Sequence, residues 1–308
     1  MAVSNENWVF GRAYASSRMR IAILSYWREN DPASDEEQET QIILCADGQV
    51  DSVLVPYHCV DVLEINEPRP HVLVVGLEGD VAVIDGNVLY RDFLDDSDNG
   101  PRGRGDIRSL ARVSDFIFAV GMQRQVYQRG QPPSDTLAAP WHHYENGLSW
   151  SPLDIAGFNG LAGISPDELY AAGWRGELQI CESGQWRPIE LPTNLKLERV
   201  LVAPDGKVYL AGIRGVLLSG RGDSFEIIAQ TATEESFWGM CWAFDTLWLA
   251  SATQLFRLVD DDLVEVDPKL GDTMTFRCLT AADGRLWSVG SDHVIYTDDG
   301  QTWAQVFF

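Results

Sequence analysis

Three arginines lie in the turns that follow a recurring glycine: Arg124 three residues after Gly121, and Arg175 and Arg214 two residues after Gly173 and Gly212. A guanidinium offers a fork of donors that matches a carboxylate or another anion, so three of them in such turns suggest an anion-binding arc. Equivalent turns elsewhere contribute Glu78, Asp292 and His293, and Trp174 lies beside Arg175. The same cations have a second use, pairing between neighbouring units with Glu78, Asp292 or Glu177, and structural ion-pair networks of that kind are common. The sequence leaves both uses open.

Other chemistry is thinner. Asp95, Ser97, Asn99 and Gly100 fall at positions 1, 3, 5 and 6 of a calcium-loop count, with Asp106 at position 12. Arg102 and Arg104 intrude on that cage and no helical pattern flanks it, so a solvated loop is expected, and no metal or cofactor. His142 and His143 are adjacent, which sends them to opposite sides of an extended chain, and His58 and His71 have no partners at zinc spacing. GxSxG, Walker A and GxGxxG patterns are missing. Two Arg-Gly-Asp tripeptides, at Arg104–Asp106 and Arg221–Asp223, are read as coincidence. The sequence therefore points to binding and away from catalysis.

The 308 residues are 45% apolar, enough for a large core, and 46 acidic side chains oppose 23 basic ones, a net charge of −23. That balance argues against nucleic acid as a partner, where a basic footprint supplies affinity, and against anionic membranes. Asp35, Glu36 and Glu37 form one acidic cluster, Asp95 and Asp96 belong to a second, and Asp260, Asp261 and Asp262 to another. Solubility and protection of strand edges would account for them. So would capture of a basic protein, since a field of one sign raises association rates by ~10–10³-fold. Five cysteines without a CxxC pair suit reduced thiols, the start lacks the basic-then-apolar order of a secretory signal, and no apolar run spans a bilayer; a cytoplasmic location is expected.

The elements that must position these groups are repeated. Gly76, Gly121, Gly173, Gly212, Ser251 and Gly290 each close a largely apolar triplet such as Tyr209-Leu210-Ala211, and the last four stand 39 residues apart. About six residues earlier comes a hairpin signal, Asp205-Gly206 or Asp283-Gly284, with Asp115, Asp167 and Asp245 in the same slot. Thirteen residues later come Trp186, Phe225, Val264 and Trp303. Between these markers run short β-rich stretches without helical spacing. Four strands in about 40–45 residues are the mark of a propeller blade. Seven blades of about 44 residues fill one domain, 1–308, the first blade being about 1–65 with strands at Arg20–Tyr26, Gln41–Ala46 and Val50–Val55. The small marker is expected where neighbouring blades crowd, and the large apolar slot where sheet packs on sheet. A β-sandwich with a second β domain is the competing architecture, and it gives no reason for a constant spacing.

The last blade ends Tyr296-Thr297-Asp298-Asp299-Gly300-Gln301-Thr302-Trp303, which resembles an Asp-box, the bacterial neuraminidase repeat, at Asp298, Gly300, Thr302 and Trp303. Leu218–Phe225 is a degenerate second copy. The resemblance implies a structural hairpin of a propeller. A sialidase would need an arginine triad and a Phe/Tyr-Arg-Ile-Pro segment that this chain lacks. Expected, then, is a non-catalytic, monomeric propeller that binds a basic protein, as an immunity protein does a cationic toxin such as a nuclease encoded nearby. The alternatives are a glycan-binding or glycoside-hydrolase-like propeller, drawing on surface-prone Trp141, Trp150 and Trp174, or an assembly factor.

Overall fold

The computed structural model describes residues 8–27, 39–86, 88–130, 137–229, 233–271 and 274–306. Short apolar runs cut by turn residues fold as strands, and the strands gather into seven four-stranded antiparallel sheets, each a meander of four consecutive strands. The fold is all-β, a seven-bladed β-propeller. Second strands such as His71–Gly76 and Val208–Gly212 are buried along their whole length, which is why they read as unbroken apolar runs. Fourth strands such as Gln49–Val55 and Val88–Phe93 are largely exposed edges and carry the polar residues.

The turns follow from their residues. Asp283-Gly284 and Asp47-Gly48 place both central residues in the left-handed region, φ 47° and 75° and φ 51° and 78°, the geometry a two-residue hairpin demands. Asp260 and Asp261 do the same at φ 50° and 64°, so part of the acidic run Asp260–Asp262 is a hairpin turn. Gly76, Gly121, Gly173 and Gly212 end the second strand of their sheets, and Ser251 and Gly290 follow it directly. The reason for the small residue differs from the expected crowding between blades. A Cβ on Gly121, Gly173, Gly212 or Gly290 would collide with the carbonyl of Asp106, Gly157, Lys196 or Thr275, each on the segment that leads into the first strand of the same sheet.

The chain divides into two compact units, residues 1–64 with 238–308, and residues 65–237. In the first, strand β1 (Trp8–Ser17) lies along the last sheet without exchanging a strand. Phe10 N donates to Ser291 O at 2.9 Å and Ala15 N to Thr280 Oγ1 at 2.9 Å. Phe10, Ile21, Ile23 and Ile43 pack there against Trp287, Val289 and Val294. The Asp-box-like hairpin is held by Asp299, whose Oδ1 accepts from Gln301 N at 2.8 Å and Thr302 N at 2.7 Å. Asp298, the residue matched to the box, instead binds Arg285 at 2.6 Å and Arg18 at 2.7 Å.

In the second unit the aromatic slot does the sheet-to-sheet packing. Trp186 is buried with its ring 6.1 Å from Phe158, among Val113, Phe118 and Val126 of the preceding sheet. Phe225 meets Tyr170 across the next junction at 6.2 Å. A buried ring of this size removes ~150–250 Å² from water, roughly 4–6 kcal/mol gross. Trp303 meets Trp248 at 6.0 Å in the first unit. Val264 departs from the expectation: it is 41% exposed on an outer strand. Two further differences concern residues 95–143. Pro101–Arg104 forms one helical turn where a bare loop was expected. Trp141–His143 is the fourth strand of the third sheet and buries Trp141, which is therefore not the surface tryptophan expected.

Candidate protein-binding site

The site is built on turns between second and third strands in residues 65–237, where β13–β16 (Phe158–Ser165, Glu168–Gly173, Leu178–Glu182, Gln185–Ile189) form the central sheet. After Gly173 the chain makes a single tight turn, Trp174-Arg175-Gly176, and after Gly212 the same turn recurs as Ile213-Arg214-Gly215. Arg175 sits at φ 56°, ψ 31° and Arg214 at φ 55°, ψ 37°, a left-handed conformation that costs a residue with a Cβ ~1–2 kcal/mol. The glycines that follow are required: a Cβ on Gly176 or Gly215 would strike the carbonyl of Thr193 or Thr233. The turn after Gly121 has the same length, but its arginine stands one position later: Gln123, at φ 53°, takes the place of Arg175 and Arg214, and Arg124 follows at φ 59°.

The three arginines differ in what they touch. Arg124 Nε binds Glu177 Oε1, and its Nη1 donates to Ser149 O at 2.7 Å. It is the inter-sheet ion pair that the sequence allowed, and it leaves the arc. Arg175 and Arg214 are exposed and form no ion pair among the described residues. Trp174 lies under Lys196, whose Nζ is 4.5 Å from the ring centre, and its buried indole N–H has no hydrogen-bond partner among the described residues.

Between these turns and the segment 144–157 opens a pocket of about 350 Å³. Ala156, Leu178 and Ile189 form its apolar part, Ile155 and Trp174 stand beside them, and two cations, Arg124 and Arg175, and two carboxylates, Asp154 and Glu177, supply charge, Glu177 being engaged by Arg124. The segment itself is fastened from several sides. Arg104, buried, binds both oxygens of Glu145 at 3.0 and 2.9 Å and Gln123 O at 3.0 Å, and its guanidinium lies 4.7 Å from the Trp150 ring. Trp186 donates to Tyr144 O at 2.7 Å and to Asn146 O at 2.8 Å. Asp154 N closes a turn onto Ser151 O at 3.0 Å. Thus braced, the segment presents Trp150 (39% exposed), Leu153 (92%) and Ile155 (55%). Of these, sequence reasoning found Trp150 and missed Leu153 and Ile155. The available signal was four apolar or proline residues within Trp150–Ile155, in a connection too long for a simple turn.

The other candidates do not join this site. Glu78 is exposed and pairs with Arg102 at 3.4 Å. Asp292 and His293 belong to the other unit, where His293 Nε2 is 2.9 Å from Thr275 O and burial lowers its pKa. The calcium candidates turn to other partners. Asp95 takes His143 at 2.8 Å and Ser97 N at 2.9 Å, Ser97 Oγ takes Asn99 N at 3.2 Å, and Asp106 takes Arg108 at 2.9 Å. No group of three or more His, Cys, Asp or Glu suited to a metal occurs among the described residues. Asp96, Asp260, Asp261 and Asp262 are exposed. Asp35, Glu36 and Glu37 lie outside the described residues. Arg104 is buried, so the first Arg-Gly-Asp tripeptide is not displayed, and Arg221 is taken by Glu168 at 3.0 Å.

Sheets and site together define a class: a seven-bladed β-propeller that carries an apolar, arginine-edged surface on its turns. Solved propellers match it over most of their length. The WD40 β-propeller domain of Doa1 aligns with 96% of this chain and 93% of its own, at TM-score 0.70 and 9% identity. YCF48 from Cyanidioschyzon merolae aligns over 81% and 85%, at TM-score 0.60 and 14% identity. A structure of YCF48 bound to D1 peptide aligns over 95% and 92%, at 0.66 and 13%. At such identities the likeness is one of fold. No family model matches the chain. It is 37% identical to the Immune protein Tsi7 of Pseudomonas aeruginosa over 268 residues, 85% of this chain and 84% of that protein, and it belongs to that protein's family.

Proposed function

We propose that this chain is an immunity protein, a non-catalytic propeller that binds a toxin and neutralises it by covering the surface the toxin needs. The observation that carries the reading is its membership in the family of Immune protein Tsi7. The finer parts rest on charge. A molecule of net charge −23 is suited to a basic toxin, such as a nuclease whose phosphate-binding surface it would occlude, and its field would speed the encounter by ~10–10³-fold. We place this capture in the cytoplasm and expect the toxin's gene beside this one. The Asp-box likeness enters as a structural hairpin, since the carboxylate of Asp299 is spent on backbone amides.

Co-expression tests the reading. Cells making the neighbouring toxin are expected to grow only when this protein is present, and the two purified proteins to form a complex whose association rate falls steeply with salt. Absence of rescue and of a complex overturns the immunity role. Rescue with an association rate indifferent to salt, or by binding an acidic toxin, overturns the electrostatic part.

A further inference from the structure

Arg175 and Arg214 stand out on backbone and charge together. Each holds a left-handed conformation that glycine or asparagine would adopt at lower cost, and each does so at the same place in consecutive sheets. A backbone outlier repeated in this way is a pointer to use. Arg104, Arg124 and Arg221 close on carboxylates within residues 65–237, whereas Arg175 and Arg214, like Arg91 and Arg112, form no ion pair among the described residues, in a chain with twice as many acids as bases. Beside Arg175 lies the pocket with Leu178 and Ile189 in its lining, and beside the pocket stands Leu153, 92% exposed on a segment held by half-buried hydrogen bonds. A large apolar side chain kept in water by a rigid support is characteristic of a contact residue.

We infer that this surface is the place where the toxin docks, and that it receives a toxin segment carrying a large apolar side chain next to a carboxylate. The inference rests on the immunity reading above and deepens it. The apolar side chain would enter the pocket between Ile155 and Trp174, and the carboxylate would meet Arg175, with Arg214 one sheet further on. Charge complementarity selects this occupant: the two exposed guanidinium groups, which form no ion pair among the described residues, are donors, so the incoming group is an acceptor. The spread of the elements, from the 144–157 segment to the turn at Arg214 on the next sheet, favours a macromolecule over a small ligand. A basic toxin would be drawn in by the acidic field and then held in one orientation by the cations.

The test uses the full chain and the purified toxin encoded beside it, measured by calorimetry and surface plasmon resonance. The variants are Leu153→Asp, Arg175→Gln, Arg175→Glu, the pair Arg175→Glu with Arg214→Glu, and, as a comparison, Asp260→Asn with Asp261→Asn and Asp262→Asn. The three altered sites are solvent-exposed, so the variants are expected to melt within a few degrees of the parent. Leu153→Asp is expected to weaken binding by at least ~30-fold and the double charge reversal by at least ~100-fold, both through faster dissociation. The aspartate triple variant is expected to slow association by several-fold and leave dissociation alone. Parent protein that binds the toxin while the Leu153 and arginine variants bind within threefold of it overturns the docking surface and spares the immunity role. Parent protein that does not bind overturns the immunity role, and the docking surface with it.

Discussion

Arg104→Met should loosen the 144–157 segment although Arg104 lies forty residues before it. The side chain is 1% exposed and Glu145 17% exposed, and methionine keeps the buried stem while removing three hydrogen bonds and the cation over Trp150. Removing one partner of a buried ion pair costs ~3–5 kcal/mol, because the other charge is left uncompensated. Water can reach part of Glu145, and Val126 N still donates to it at 3.2 Å, so the low end, about 3 kcal/mol, applies. With a denaturant slope of ~3 kcal/mol per molar urea, the midpoint falls by about 1 M. Glu145→Gln added to Arg104→Met should cost little more, giving a coupling of about 2 kcal/mol in the double-mutant cycle. Hydrogen exchange should quicken in residues 144–157 and stay slow in the sheet beginning at Leu197. A loss below ~1 kcal/mol, or two single costs that simply add, would refute the view that this pair braces the segment.

Acid should act in two stages. His71 and His293 have pKa values lowered from 6.5 by burial, so their contribution is complete above about pH 6.5 and declines as pH falls below it. Asp299, held down to about 2 by the amides of Thr302 and Gln301, contributes stability above about pH 4 that is lost between about pH 4 and 2; Asp299→Asn should flatten that limb of a urea-midpoint series and no other. Gly173→Ala should cost at least ~3 kcal/mol or prevent folding, while Gly48→Ala, in open space, should cost about 1 kcal/mol for its positive φ; equal melting losses would contradict the close approach to Gly157. Burial pushes Cys45 up to about 12 and raises Cys241 and Cys181, so a disulfide reagent at pH 8 should label less than one thiol in the native protein and all five in urea.

What the sequence made legible was whatever repeats. Gly173, Gly212 and Gly290 recur because the same backbone collision recurs in each sheet, and Trp186, Phe225 and Trp303 because each sheet offers its neighbour the same gap. The competing explanation of the glycines, crowding between blades, was indistinguishable in sequence, since both predict a small residue at one spacing. The site was half legible. Arg175 and Arg214 share a repeat position and Arg124 stands one residue later in the same turn, but only coordinates separate Arg124, engaged by Glu177, from the two that form no ion pair among the described residues. Leu153 and Ile155 were not legible because they lie in a segment peculiar to one junction, where periodicity has nothing to compare. Trp141 was misread for the same reason: with Pro and Ala on one side and two histidines on the other, its short strand carries no alternation long enough to register.

On the proposed docking surface the acids and the arginines would divide the work of recognition in a way that neither could do alone. A charge of −23 spread over a surface attracts any basic protein from a distance, and at 0.15 M salt it is screened beyond ~8 Å, so it sets how often partners meet and says little about how they fit. Orientation requires short-range features that punish a wrong approach. In an acidic molecule an unpaired guanidinium is such a feature, since a basic surface arriving out of register meets like charge there, at a cost of several kcal/mol. Arg175 and Arg214 stand where that penalty would fall, and Arg175 lines the pocket next to Leu153, the large apolar residue most exposed to water among the described residues. A toxin that must be stopped by one immunity protein and ignored by the rest is discriminated by such local terms, because the long-range field is the same for every cation in the cell.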